Sequence, residues 1–203
     1  MIWSLFRGLA RLIGIKSYRD TLVSRYTKFI DLTRSTMSFQ EWRETTEFEM
    51  GKIKVDCLNL SIFPDGVWSI RIYHTTATEL NIDGEKPNLT RLTIHSSNIR
   101  RVSNVRNMSL IDKLELTNNE LTTFPFSELP TVMGRLVFDD SRLIEIDRLP
   151  EHSHIGLLSA VNCPLENLDL SLPFIVWTTD FSGTPFEEYG KYTHRSRYKS
   201  NVA

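Results

Sequence analysis

The sequence predicts an α/β repeat solenoid, and three observations lead to that class. The stretch LIDKLELTNNELTTFP sets Ile111, Leu114, Leu116, Leu121 and Phe124 at a spacing that is neither the 3.6 of a helix nor the 2 of a strand. The same spacing returns every 22 residues in both directions. The intervals between copies are short and marked by Pro125, Pro130, Pro150, Pro164 and Pro173, which leaves no room for the helices of an alternating βαβ domain.

Three segments follow from this reading: an N-terminal cap over residues 1–47, the repeat array over 48–189 with about 7 repeats, and a basic tail over 190–203. The cap is expected to be helical. In MIWSLFRGLARLIGIK, residues Ile2, Leu5, Phe6, Leu9, Leu12 and Ile13 share one face, with Arg7 and Arg11 on a narrow polar stripe. The segment is too short and too charged to span a bilayer. Its arginines fall inside the apolar region, which does not fit a secretory leader. Two placements satisfy it: packing on the first coil or a partner protein, or lying on a membrane surface with Trp3 and Phe6 as anchors beside Arg7 and Arg11. Further on, Tyr18, Leu22, Tyr26, Phe29 and Ile30 recur at helical spacing, and Ser38 with Glu41 forms a capping-box pattern.

The array begins with a compressed unit, 17 residues before its neighbour: Met50, Ile53, Val55, Leu58, Leu60 and Phe63. Five copies follow in register. Val67, Ile70, Ile72, Thr75, Ala77 and Leu80 open the series; Leu89, Leu92, Ile94, Ser97, Ile99 and Val102 come next. Beyond the central copy the slots hold Met133, Leu136, Phe138, Ser141, Leu143 and Ile146, then Ile155, Leu158, Ala160, Cys163, Leu165 and Leu168. A 21-residue step ends the array at Val176, Thr179, Phe181, Thr184, Phe186 and Tyr189. Atypical end units are expected, because they must close an otherwise open core.

The pattern resembles the leucine-rich repeat family, whose signature is L-x-x-L-x-L-x-x-N/C-x-L. Asn119 and Cys163 match its asparagine slot, and Thr75, Ser97, Ser141 and Thr184 are shorter polar stand-ins. The resemblance implies a horseshoe arc with a short parallel β-sheet on its concave face, closed here by the helical N-terminal cap. The slot side chain is expected to turn inward and satisfy backbone groups left open where each coil leaves its strand. Leu114 and Leu116 then point into the core, while Lys113, Glu115 and Thr117 point outward. The return of each coil is expected to be extended or a single helical turn.

Aligning the copies turns the outward positions into columns. The first reads Lys52, Ser69, Arg91, Lys113, Arg135, Leu157; the second Lys54, Arg71, Thr93, Glu115, Val137, Ser159; the third Asp56, Tyr73, His95, Thr117, Asp139, Val161. Such a mixed face suits a protein partner better than a uniform polyanion. Arg71, Tyr73, Arg91, His95, Lys113, Glu115, Arg135 and Asp139 are the expected partner-binding residues, Tyr73 being the aromatic anchor.

The formal charge of −1 conceals an asymmetry: residues 1–34 carry +5, residues 190–203 carry +4, and the body between carries −10. The tail YGKYTHRSRYKSN interleaves tyrosines with basic residues, a composition shared by nucleic-acid contacts and by plain solubilising tails. Neither a glycine-rich phosphate loop nor a metal-ligand spacing occurs. His152 and His154 stand two apart and would point to opposite sides of an extended chain. No catalytic residue, metal, cofactor or small-molecule substrate is therefore expected. Cys57 and Cys163 are far apart and are read as buried, inert thiols in a reducing compartment. The sequence points to an intracellular, cytoplasmic interaction module that acts as an adaptor, assembly subunit or inhibitor. A peripheral membrane component and a nucleic-acid-associated subunit are the alternatives.

Overall fold

Alternation of Leu114 and Leu116 with Lys113, Glu115 and Thr117 makes one strand with one apolar face, and stacking by 22 residues makes a sheet of such strands. The computed structural model describes residues 46–169 and 175–188, together with the backbone of two strands at Thr21–Ser24 and Lys28–Asp31. Those two are β1 and β2. The long sheet continues with β3 (Glu47–Gly51), β5 (Ser69–Tyr73), β7 (Arg91–His95), β9 (Ile111–Thr117), β10 (Val132–Val137), β12 (His154–Ser159) and β14 (Ile175–Asp180). From β3 to β14 every pairing is parallel. Two short sheets line the return path: β4 (Cys57–Asn59) with β6 (Glu79–Asn81) and β8 (Arg101–Ser103), then β11 (Glu145–Ile146) with β13 (Asn167–Leu168).

The molecule is thus a parallel β-solenoid of about six turns. The expected α/β horseshoe is corrected: among the described residues helix is confined to short 3-10 pieces, at Leu60–Ile62, Val105–Asn107 and Phe126–Glu128 and again at 187–188. A 22-residue coil spends five to seven residues on its long strand, and its return must also place an apolar residue such as Leu80 or Val102 inward. Extended chain covers that distance with fewer residues per ångström than a helix, at about 3.3 Å against 1.5 Å per residue.

The helical cap fails where it is described. Thr21–Ser24 and Lys28–Asp31 are strands, β1 pairing antiparallel with β2 on one side and with β3 on the other. Leu22, Tyr26, Phe29 and Ile30 do fit a helical spacing, but Thr21, Val23, Phe29 and Ile30 are strand formers, and an available sheet edge at β3 decides the outcome. Residues 1–20, 25–27 and 32–45, including Tyr26 and the capping-box pattern, lie outside the described residues.

The first coil is also corrected. β3 pairs with β5 at a full step of 22, Phe48 with Ile70 and Met50 with Ile72, so the unit is not compressed. Ile53 and Val55 are the turn-side residues of that coil, equivalent to Thr75 and Ala77. The 21-residue step at the other end stands, Ile155 pairing with Val176.

Each coil leaves its long strand through a residue in the left-handed region: Lys52, His74, Ser96, Asn118, Asp140 and Asn162, with φ of 50–57° and a spacing of 22. Their N–H groups still bond to the next coil; Asn118 donates to the Asp139 carbonyl and Asp140 to the Val161 carbonyl, both at 2.8 Å. The inward polar slot follows at once, and its side chains are buried from Thr75 to Thr184. Asn119 donates from Nδ2 to the carbonyls of Ile94 (3.1 Å) and Thr117 (3.0 Å), reaching back a whole coil. Ser141 Oγ donates to the Leu116 carbonyl and accepts from the Asn119 N–H, and Cys163 Sγ reaches the Phe138 carbonyl. The slot therefore works as expected, although Asn119 Oδ1 has no hydrogen-bond partner among the described residues. Returns are stitched in the same way: buried Lys86 donates from Nζ to the Phe63 carbonyl at 2.8 Å, and Asn107 to that of Ile82 at 2.7 Å.

A single apolar column runs between the sheets, from Phe48 through Leu92, Leu114 and Leu136 to Phe181. Phe124, Phe126 and Phe138 pack edge-on at centroid distances of 4.9–5.5 Å and join the middle coils. Among the described residues no helix is long and apolar enough to cross a membrane.

Candidate functional site

The three-residue interval in L-x-x-L puts two residues, not one, on the outward side between consecutive inward residues. The backbone absorbs the extra residue as a bulge repeated in successive coils. The N–H groups of Asp112 and Lys113 both donate to the Thr90 carbonyl, as those of Thr90 and Arg91 do to Trp68. This adds a column to the outward face: Trp68, Thr90, Asp112, Gly134, Gly156 and Trp177. Backbones approach closely there. A Cβ on Gly134 would collide with the Asp112 carbonyl oxygen, and one on Gly156 would lie 2.5 Å from the Gly134 carbonyl oxygen. Residue types with side chains are therefore disfavoured at these two places.

The expected contact residues fall on adjacent strands. Arg71 on β5 lies 3.8 Å from Glu49 on β3, both nearly half exposed. Tyr73 stacks on His95 of the next strand at 5.5 Å and 11°, and burial, then the nearby Glu49 carboxylate, pushes its phenol above the usual value. His95 contacts Thr117 Oγ1 through Nδ1 and stands 3.8 Å from Glu115 through Nε2. Glu115, with a side chain only 16 % exposed, also pairs with Lys113 and accepts from Thr93. Arg91 donates from Nε to Asp112 and lies 5.2 Å over the Trp68 ring. The basic column Arg91, Lys113, Arg135 is real, each in register with the next, but its members have different surroundings.

Arg135 on β10 is exposed and has no ion pair among the described residues. Asp139 stands beyond the end of β10 and is spent on structure. Its Oδ1 accepts from Ser159 Oγ at 2.6 Å and the Val161 N–H at 2.9 Å. Lys52, Lys54 and Asp56 do not head the three columns; Glu47, Glu49 and Gly51 do, because the first coil is not compressed. Trp3, Phe6, Arg7, Arg11 and the tail 190–203 lie outside the described residues.

Sequence reasoning missed Trp68, Asp112 and Trp177, all in the bulge column. The signal was present: L-x-x-L requires two outward residues wherever L-x-L requires one. Trp177 is 53 % exposed; with Leu110 and Val132 it makes up the exposed large hydrophobics of the described chain, all on or beside β9, β10 and β14.

Cys163 is buried, and desolvation pushes its thiol up to about 11. Cys57 is exposed, which corrects its expected burial; partial desolvation and Glu79 raise its pKa. No group of three or more histidine, cysteine or acidic side chains suited to a metal ion occurs among the described residues. No protein-family profile matches the chain, and no characterised protein or solved structure is significantly similar to it.

Proposed function

We propose that this chain is a non-enzymatic protein-interaction module that binds a protein partner through the outward face of its long sheet. The observation that carries this reading is the register itself. It sets Arg71, Tyr73, Arg91, His95, Lys113, Glu115 and Arg135 side by side on four consecutive strands, a continuous surface of charged and aromatic groups. Six strand steps give a face about 29 Å long, and five to seven residues give it a width of about 17–23 Å. That is roughly the per-partner area of a modest specific interface. Solenoids present such extended faces because each coil adds to them in one direction. The L-x-x-L-x-L-x-x-N pattern supports a place among short leucine-rich repeats, with strands and 3-10 turns on the return side, and an adaptor, assembly-subunit or inhibitor role in the cytoplasm.

Affinity capture from a lysate of the source cells tests the reading, with the full chain compared against a variant carrying Arg91→Glu, Lys113→Glu and Arg135→Glu. Circular dichroism confirms that the variant folds. Loss of a specific protein partner is expected; an unchanged set of captured proteins would sink the proposal.

A further inference from the structure

Three arrangements neutralise the cations of this face, and each has a fixed offset. Arg71 uses a carboxylate one coil back, Glu49. Arg91 uses one 21 residues ahead in the bulge column, Asp112. Lys113 uses one two residues along its own strand, Glu115. The corresponding places around Arg135 are held by Lys113, Gly156 and Val137. All three are occupied by residues that cannot accept a proton or a positive charge, and Lys113 adds repulsion, since like charges directly opposite destabilise a sheet. Apolar groups dominate the surroundings: Leu157 is in register with Arg135, Val137 is buried, and Val132 and Trp177 are more than half exposed, with His154 opposite Val132 and Thr178 opposite Leu157 as the polar neighbours. The nearby acids are engaged. Asp112 holds Arg91, Glu115 holds Lys113, Asp139 caps the coil after β12, and Asp180 accepts from Ser182.

We propose that Arg135, Leu157 and Trp177 form the recognition centre of the face, and that it takes a partner segment carrying one carboxylate beside an aliphatic or aromatic side chain. The inference rests on the proposed interaction function and names the chemistry of its partner. Charge complementarity selects the occupant: a guanidinium with no ion pair among the described residues takes a carboxylate bidentately. The apolar ground around it excludes water, and exposed tryptophan and arginine are the side chains that dominate binding energy. Trp177 lies beside Thr178, which is in register with Leu157, so indole and guanidinium are about two strand spacings, roughly 10 Å, apart. That is the reach of two side chains on one extended segment. Among the described residues of this part of the face a polyanion would meet one unpaired cation beside Asp112, Glu115, Asp139 and Asp180, and is disfavoured.

Selection of a random octapeptide phage library on the full chain tests this directly. Enriched peptides are expected to hold Asp, Glu or a free C-terminal carboxylate within three residues of Leu, Ile, Phe or Trp. Their synthetic forms should weaken on the order of thirtyfold with Arg135→Glu and with Trp177→Ser, and less with Arg135→Lys. Selection on the Arg135→Glu chain should instead enrich lysine or arginine. No enrichment, enrichment without an acid, binding indifferent to Arg135→Glu, or an Arg135-dependent preference for oligo(dT) would each overturn the proposal. The two readings fail separately. A captured protein partner lost with Arg71→Glu and Lys113→Glu but kept with Arg135→Glu and Trp177→Ser leaves the module reading standing and removes this centre.

Discussion

On β5, β7 and β9 each outward lysine or arginine has a carboxylate in reach, whereas the outward guanidinium of β10 has none among the described residues. Both regions are made from the same kind of coil, with inward residues buried at equivalent slots. The difference lies in three substitutions at equivalent places: Lys113 where a carboxylate would stand one coil back, Val137 in place of Glu115, and Gly156 in place of Asp112. A repeat therefore sets where side chains meet, and the varied positions decide whether a meeting is satisfied internally or left for another molecule. In the first region the ionic groups satisfy one another; in the second they are thinned out and the surface turns apolar.

Breaking the mechanical link between the regions should have the largest effect. Phe138 is fully buried and touches Phe124 and Phe126, so Phe138→Ala is expected to cost about 3–5 kcal/mol. Hydrogen exchange should show β10 and β12 losing protection before β5, because each coil is stabilised mainly by its neighbours. Uniform loss of protection would show instead that the two regions unfold as one. Gly134→Ala comes next, at about 1–3 kcal/mol in chemical denaturation, because the new methyl must displace the Asp112 backbone. Gly66→Ala, where nothing lies within 4 Å of the added atom, serves as its control and should leave the midpoint nearly unchanged.

Asn119→Ala removes two donors from buried carbonyls and should cost about 1–3 kcal/mol in the same assay. Cys163 makes the later coils sensitive to alkali. Its thiol ionises at about 11 in the fold against 9.0 when exposed. The unfolded chain therefore loses its proton first as pH rises. The stabilisation is complete below pH 9 and falls away up to about pH 11. Across that window the melting temperature should fall more steeply with pH for the natural chain than for Cys163→Ser, which keeps a hydroxyl for the Phe138 carbonyl. The smallest effects concern the face itself. A double-mutant cycle on Arg91 and Asp112, both about half exposed, should return about 0.2–1 kcal/mol. Arg135→Ser should change stability by less than about 0.5 kcal/mol. A strongly destabilising Arg135→Ser would mean that this side chain serves the fold, and the contrast between regions would disappear.

The core was legible because inward residues repeat by type: Leu92, Leu114 and Leu136 cannot change without opening the column they fill. Asn119 was legible for the same reason, its donors meeting the carbonyls of its own coil and the one before. The first coil misled because Ile53 and Val55 imitate the L-x-L of a strand, although the true strand EFEMG shows plain alternation at Phe48 and Met50. The strand pair at Thr21–Ser24 and Lys28–Asp31 was hidden because short apolar runs fit helical and extended templates alike, and the sheet edge that decides between them lies elsewhere in the chain. The division of the face was not readable residue by residue. Whether a guanidinium is neutralised depends on carboxylates 21 or 22 positions away, and those offsets acquire meaning only once the bulge is known.

The left-handed turn after each long strand has one more consequence. Because Lys52, His74, Ser96, Asn118, Asp140 and Asn162 open the same corner at the same interval, that corner is a seam. Excising residues 119–140 would join Asn118 to Ser141, a corner residue to an inward slot, with every later coil unchanged in phase. Excising 21 of them would leave the return of that coil one residue to absorb, as the coil between Ile155 and Val176 already does. The length of this molecule is therefore counted in coils, and a chain built this way grows or shrinks most simply by whole ones.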